Sequence, residues 1–156
     1  ARPSSSLWSL VKTIGAGVLS VDFPIRSTGL AFACGSPVML PTLDSMPGDL
    51  LLVDRRRLDW FRGDVVAFRE GKAYHRGVVS RLIALPGDLI RLRGTTELLE
   101  VPEGHCWVEG DNPSQSKDSR TYSPVPLELL EGTVTHIIWP PHRMAAVPGR
   151  VPEERV

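Results

Sequence analysis

The sequence feature that most constrains the fold is a Gly-Asp pair that recurs directly before apolar runs. Glycine and aspartate are favoured in tight turns, and short apolar runs bounded by such turns are typical of strands. The pattern therefore predicts short β-strands that each begin just after a turn. The pairs are Gly48-Asp49, Gly63-Asp64 and Gly87-Asp88, which precede the runs at residues 50–53, 65–68 and 89–92.

The short-strand pattern extends over most of the chain. Fourteen glycines and fourteen prolines among 156 residues favour turns over long helices. We predict a mainly β domain over residues 30–140, with one short helical turn at residues 126–130. Residues 141–156 are rich in Pro, Arg and Glu and are predicted to form an extended C-terminal tail. Further strands are predicted at residues 78–85, 105–109 and 132–139.

Residues 1–29 form a separate N-terminal segment, of which residues 7–21 are the candidate for membrane contact. A helix needs about 20 largely apolar residues to cross a bilayer. This stretch is shorter and is interrupted by Lys12. We therefore predict an amphipathic segment that lies on a membrane or docks on a partner, with a transmembrane helix as the open alternative.

Charge and cysteine content exclude several function classes. Eighteen basic and eighteen acidic residues cancel, so nucleic acid is not an expected partner. The two cysteines, Cys34 and Cys106, are far apart and lack the spacing of metal ligands, and no metal or cofactor is predicted. Two buried thiols and a disulfide both remain open for them.

Several motifs occur in a fixed order along the chain, and together they resemble the type I signal peptidase family. The similarity spans residues 30–140 and is closest to the subunit 2 branch of the mitochondrial inner membrane proteases. It implies a signal-peptidase-like (LexA-like) fold of antiparallel sheets that form a partly open barrel, with a short N-terminal helix. The motifs are Met39-Leu40-Pro41-Thr42-Leu43, the segment from Arg81 to Gly87-Asp88, Val108-Glu109-Gly110-Asp111-Asn112, Ser116-Lys117-Asp118-Ser119-Arg120 and the segment from His136 to Arg143.

The same resemblance implies that both catalytic positions of the family are vacant here. In the family a serine stands immediately before the Met-x-Pro run, and a lysine in an apolar pocket accepts its proton. Val38 occupies the serine position, and Ser80, directly before Arg81, occupies the lysine position. Valine has no nucleophilic atom, and a hydroxyl lacks the basicity of an amine. No catalytic residue is therefore expected.

Two other residues are fallback candidates for chemistry. Ser36 lies two positions before Val38, where residues on a strand face the same way, and it matches the oxyanion-hole serine of the family. His75 lies five residues before Ser80, and histidine replaces the lysine in the endoplasmic-reticulum branch. In that branch, however, the histidine stands directly before the arginine that Arg81 matches.

The remaining motif residues are expected to be structural. In the family the serine matched by Ser116 orients the lysine, and the pair matched by Asp118 and Arg120 holds the local backbone. With no lysine present, the structural role remains. The predicted structural set is Met39, Pro41, Arg81, Gly87, Asp88, Gly110, Asp111, Asn112, Ser116, Asp118 and Arg120.

The function predicted from these observations is that of a catalytically inactive homologue in the mitochondrial inner membrane. It would serve as a structural or assembly subunit beside other protein subunits or an active protease paralogue, with the β domain facing the intermembrane space. An active serine endopeptidase that processes signal peptides or presequences is the first alternative. A module that binds an extended peptide by strand addition without cleaving it is the second.

Overall fold

A computed structural model of the chain describes residues 30–33, 36–45, 48–57, 59–69, 77–92 and 94–150. Within these ranges the protein consists of short strands, one short helix (α1, Ser119–Tyr122) and three 3-10 turns at Pro37–Met39, Leu127–Leu129 and Pro141–Arg143. The strands are β1 (Leu30–Ala33), β2 (Leu50–Asp54), β3 (Val65–Arg69), β4 (Gly77–Ala84), β5 (Leu89–Arg91), β6 (Leu98–Glu100), β7 (His105–Glu109), β8 (Val125–Pro126), β9 (Leu130–Trp139) and β10 (Ala145–Ala146).

The strands form an antiparallel eight-stranded sheet in the order β1-β2-β9-β3-β4-β7-β8, with β10 also paired to β9. Strands β5 and β6 form a separate two-stranded sheet. The mainly β, antiparallel fold predicted from the sequence is confirmed. The large sheet is not closed into a barrel, because β1 and β8 stand at its two ends in this pairing order.

Each Gly-Asp pair builds its turn in the same way. Gly48, Gly63 and Gly87 have φ angles of 95°, 90° and 81°, a region in which residues with a Cβ are strained. Each following aspartate accepts a hydrogen bond from a backbone N–H three or five residues earlier in the chain. Each also lies beside an arginine, at Asp49–Arg143, Asp64–Arg57 and Asp88–Arg62. These turns therefore fix where β2, β3 and β5 begin.

Strand β3 is the centre of the hydrophobic core because both of its faces are covered. Val65 and Ala67 pack into one cluster with Met39, whereas Val66 and Phe68 pack into a second cluster. A strand buried on both faces reads as a continuous apolar run, which explains why this segment shows no alternation in the sequence. The first cluster adds Leu43, Leu51, Val53, Val79, Val134 and Ile137; the second adds Leu82, Cys106, Val108 and Val125.

Two local predictions from the sequence are corrected by the structure. The segment around Val38 is a 3-10 turn at Pro37–Met39, not a strand, so the expectation that Ser36 and Val38 face the same way is wrong. The short helix α1 was not predicted. It begins after Asp118, whose side chain accepts a hydrogen bond from the Arg120 backbone N–H and caps the first turn. The predicted turn at residues 126–130 is present as the 3-10 turn Leu127–Leu129.

The two ends of the chain differ in what the structure describes. Residues 141–150 lie against the β domain, with β10 paired to β9 and Val147 packed on the first core cluster. The N-terminal helix and the membrane-contacting segment predicted within residues 1–29 lie outside the described residues. In the part that is described, no helix has the length and apolar character needed to cross a membrane.

Candidate functional site

Val38, which the resemblance matches to the family nucleophile, has an aliphatic side chain that packs against the core. Val38 is half-buried and packs against the first core cluster, beside the fully buried Met39. Its 3-10 turn lies against β4. A valine in this place offers no atom that can attack a carbonyl, and its packing serves stability instead.

Asn112 holds the backbone around Val38 in place. Its side-chain amide donates to the Pro37 carbonyl oxygen at 3.0 Å, and its backbone N–H donates to the Val38 carbonyl oxygen at 2.9 Å. Gly110 approaches the same carbonyl so closely that a Cβ built on it would lie 2.6 Å from the Val38 oxygen. The segment that follows β7 therefore holds the backbone of this turn in its conformation.

Ser80, which the resemblance matches to the family base, is buried. Ser80 is 1% exposed and pairs with Val66 in the β3–β4 ladder. By strand alternation it shares a face of β4 with Val78 and Leu82, which belong to the second cluster. Arg81 pairs with Glu109, and continuing that register by one residue places Gly110 beside Ser80. Val38 and Ser80, the two residues that the resemblance matches to the dyad, are thus both adjacent to Gly110.

Ser116, Asp118 and Arg120 form one hydrogen-bonded group next to Gly110. The Ser116 hydroxyl donates to Asp118 Oδ2 at 2.6 Å, and the Gly110 backbone N–H donates to the same oxygen at 2.9 Å. The Arg120 guanidinium pairs with both carboxylate oxygens. Ser119 adds a further link, because its hydroxyl accepts from the Val108 backbone N–H at 3.0 Å. In this chain the hydrogen bonds of the group connect β7 to α1.

Arg81 joins four segments of the chain. Its guanidinium makes a bidentate pair with Asp111, with Nε–Oδ1 and Nη2–Oδ2 distances of 2.7 and 2.6 Å. Nη1 donates to the carbonyl oxygens of Gly63 and Pro148 at 2.8 and 3.0 Å. Asp111 also accepts a hydrogen bond from the Thr42 hydroxyl, just after the Val38 turn. The Arg81 side chain is only 3% exposed, whereas its partner Asp111 is 17% exposed.

Sequence reasoning did not identify the partner of Asp49. Arg143 pairs with it through Nε and Nη2 at 2.7 and 2.8 Å, and Asp49 is fully buried. Burial alone would raise the pKa of Asp49, but the hydrogen bonds from Arg143 and from the Asp44 backbone N–H outweigh it and hold the pKa below its usual value. Both residues lie in segments that resemble the family. Nothing in the sequence, however, indicates that Asp49 and Arg143 bind each other, because they are 94 positions apart.

Of the two fallback candidates, the structure describes only Ser36. Ser36 is exposed and precedes the 3-10 turn in an extended conformation. His75 and Cys34 lie outside the residues that the structure describes. Cys106 is buried, its thiol donates to the Val125 carbonyl oxygen at 3.5 Å, and burial raises its pKa to about 12. The described residues also contain no cluster of side chains that could hold a metal ion.

The carboxylate at the centre of the Ser116 group makes stability depend on pH. Burial alone would raise the pKa of Asp118, but hydrogen bonds from Arg120, Ser116 and the Gly110 backbone outweigh it and hold the pKa below its usual value of 3.8. A carboxyl whose pKa is lowered by folding adds stability above that usual value, and this is lost as the pH falls toward the lower folded value.

We therefore expect the free energy of unfolding to fall as the pH is lowered below about 4, and to fall less steeply in an Asp118→Asn variant. Urea denaturation at a series of pH values measures both slopes. Glu97→Gln, at an exposed site, is the control for removing one negative charge. Equal slopes for Asp118→Asn and the unsubstituted chain would show that Asp118 does not contribute this pH dependence.

Comparisons with known proteins show the family to which the sequence is related. The family model "Signal peptidase, peptidase S26" matches residues 7–99 and 92–139. The chain is 39% identical over 144 residues to mitochondrial inner membrane protease subunit 2 of Mus musculus, which covers 88% of this chain and 82% of the relative. It is 37% identical over 118 residues to mitochondrial inner membrane protease subunit 1 of Schizosaccharomyces pombe, covering 71% and 74% of the two chains.

A solved structure is also similar. A signal peptidase I from Enterococcus faecalis aligns with a TM-score of 0.41 and 23% identity, over 49% of this chain and 97% of that chain. The family model covers most of this sequence, and the mouse relative covers nearly all of it. This chain belongs to the signal peptidase family, peptidase S26.

Proposed function

We propose that this chain is a non-catalytic member of its family that acts as a structural or assembly subunit of a protein complex at the mitochondrial inner membrane. The observation that carries the proposal is the packing of Val38 on the first core cluster at the nucleophile position. The buried Ser80 at the base position supports it, because a hydroxyl there cannot act as the neutral amine does.

The location follows from the named relatives, which are subunits of mitochondrial inner membrane proteases. The partners would be other protein subunits of such a complex, or an active protease paralogue, with the β domain on the intermembrane-space side. The surroundings of Val38 support this role: Asn112 holds the backbone of the turn in place, and the Ser116 group connects β7 to α1.

Catalysis is tested by incubating the chain with a serine-directed acylating inhibitor and with a peptide that spans a presequence cleavage site. We expect no covalent adduct by mass spectrometry, and no cleavage above the rate of the peptide alone. An active signal peptidase is the positive control for both reagents. An adduct that disappears in a Ser36→Ala variant would overturn the proposal and favour the endopeptidase alternative, because it would identify Ser36 as the nucleophile.

The assembly role is tested separately in detergent-solubilised mitochondrial inner membranes. A tagged chain is expected to migrate in a native gel as part of a larger assembly, with other subunits at a fixed ratio to it. The Val38→Ser variant tests whether assembly depends on the residue at the nucleophile position, and circular dichroism confirms that it is folded, because the substitution also removes an apolar contact with the core. Migration as a free monomer would contradict a structural role.

A further inference from the structure

Met144 differs in its surroundings from the other large apolar side chains that are exposed in the described part of the chain. Its side chain is 59% exposed and lies at an open groove. None of the described residues that line this groove is acidic. The other three exposed apolar side chains each have a carboxylate close by, in the pairs Phe61 with Asp64, Leu89 with Glu100 and Leu98 with Glu97.

The groove beside Met144 lies on the outer face of the large sheet, and we call it the outer groove. Leu52 of β2 pairs with His136 of β9. Both point away from the first core cluster, because Leu51 and Val53 on either side of Leu52 belong to that cluster. The groove has a volume of about 440 Å³ and is lined by Leu52, His136, Ile137, Ile138, Met144 and Ala145.

The chain enters the β domain beside the outer groove. Strand β1 begins at Leu30, and Ala31 pairs with Leu52 of the groove. Residues 22–29 join β1 to the stretch at residues 7–21, and eight residues span at most about 30 Å when fully extended. A membrane that residues 7–21 contact would therefore lie within that distance of β1. The inner face of the adjacent β2 is already covered by the core, which leaves its outer face for such a contact.

We propose that the outer groove is a second membrane-contacting surface, which lays the β domain against the bilayer that residues 7–21 contact. Met144 inserts at the boundary between headgroups and acyl chains, with the half-buried Leu52 and Ile138 beside it. Burying these side chains in lipid removes apolar surface from water. The lack of carboxylates avoids both the cost of placing a charge near hydrocarbon and repulsion by anionic lipids.

A second contact matters because one short membrane-binding element holds a protein only weakly and reversibly, and stable attachment takes two. Residues 7–21 are shorter than a span and are interrupted by Lys12. The outer groove supplies the second element. The inference rests on the inner-membrane location in the proposed function, and it adds which surface of the β domain faces the lipid.

The test measures how well aqueous iodide quenches a nitrobenzoxadiazole probe on the full-length chain. The probe is attached through Met144→Cys, or through Leu98→Cys as the matched control, in a Cys34→Ser background in which the buried Cys106 remains. Vesicles of phosphatidylcholine and cardiolipin are expected to lower the quenching constant about fivefold at position 144 and to leave it unchanged at position 98. Both chains keep residues 1–29, so binding through the N-terminal segment is the same in the two.

A carboxylate placed in the outer groove should abolish this protection. His136→Glu is suitable because His136 is exposed and lines the groove. With the probe at position 144, we expect this variant to keep its vesicle-free quenching constant when vesicles are added. Leu98→Glu adds a carboxylate at an exposed site on β6 and should retain the fivefold fall. Circular dichroism confirms that each variant is folded, and flotation measures vesicle binding.

Equal quenching at positions 144 and 98 on vesicles would overturn the proposal, because attachment would then involve residues 1–29 alone. Absence of vesicle binding, or an unchanged response in His136→Glu, would also overturn it. Protection of position 144 before vesicles are added would show that a polypeptide, from this chain or a second copy, covers the groove instead. The inhibitor and native-gel experiments do not depend on vesicle binding, so the proposed function and the outer groove can fail independently.

Discussion

Replacing Arg81 by methionine is expected to lower the free energy of unfolding by about 3–5 kcal/mol, the cost of removing one partner from a buried ion pair. The guanidinium is 3% exposed, and its loss would leave the Asp111 carboxylate without its bidentate partner. The carbonyl oxygens of Gly63 and Pro148 would also lose a donor. Urea denaturation followed by tryptophan fluorescence measures the change.

Arg62→Met is the matched control for the Arg81 substitution. Arg62 also forms a bidentate pair with an aspartate, Asp88, but its side chain is 44% exposed. Exposed pairs contribute at most about 1 kcal/mol, because water and salt screen them. If the free energy of unfolding falls equally in the two variants, burial does not determine how much Arg81 contributes to stability.

Replacing Gly110 by alanine is expected to lower the free energy of unfolding by about 3 kcal/mol, which is at the upper end of the cost of overpacking a core. The new Cβ would lie 2.6 Å from the Val38 carbonyl oxygen, and closer still to the Ser116 hydroxyl oxygen. The backbone carbonyl cannot move without breaking its hydrogen bond from the Asn112 N–H. Chemical denaturation again provides the measurement.

Gly149→Ala serves as the control for this substitution. A Cβ at that position would be 3.8 Å from the Gly63 carbonyl oxygen, an ordinary van der Waals contact. Replacing glycine by alanine at a compatible site reduces the entropy of the unfolded chain and changes stability by less than about 1 kcal/mol. If Gly110→Ala were as mild as this control, the close approach to the Val38 turn would be refuted.

The strands that follow the Gly-Asp turns were predictable from the sequence because their signals are local, whereas β6, β8 and β10 were not predicted. Turn chemistry at Gly48, Gly63 and Gly87 and the apolar runs that follow depend on neighbouring residues alone. The 3-10 turn at Val38 was mistaken for a strand because its geometry depends on Asn112, 75 positions after Pro37. The residues next to Val38 in the sequence give no indication of a contact with a residue so far along the chain.

The motif residues of the site were identified through resemblance, but their partners were not. Arg81 and Asp111 were each expected to be structural, and the structure adds that they bind each other across 30 positions. The docking of residues 145–150 had no sequence signal, because main-chain groups make most of its contacts. Backbone hydrogen bonds carry no residue-type signature that a sequence could reveal.

The position of β9 in the sheet has a consequence for the order in which the chain can fold. The strand lies between β2 and β3, yet it begins only at Leu130. A chain emerging from a ribosome therefore leaves one edge of β2 and one edge of β3 unpaired until β9 has appeared. Such edges pair readily with other chains, and contacts between distant residues form slowly. This topology therefore requires protection from aggregation during synthesis.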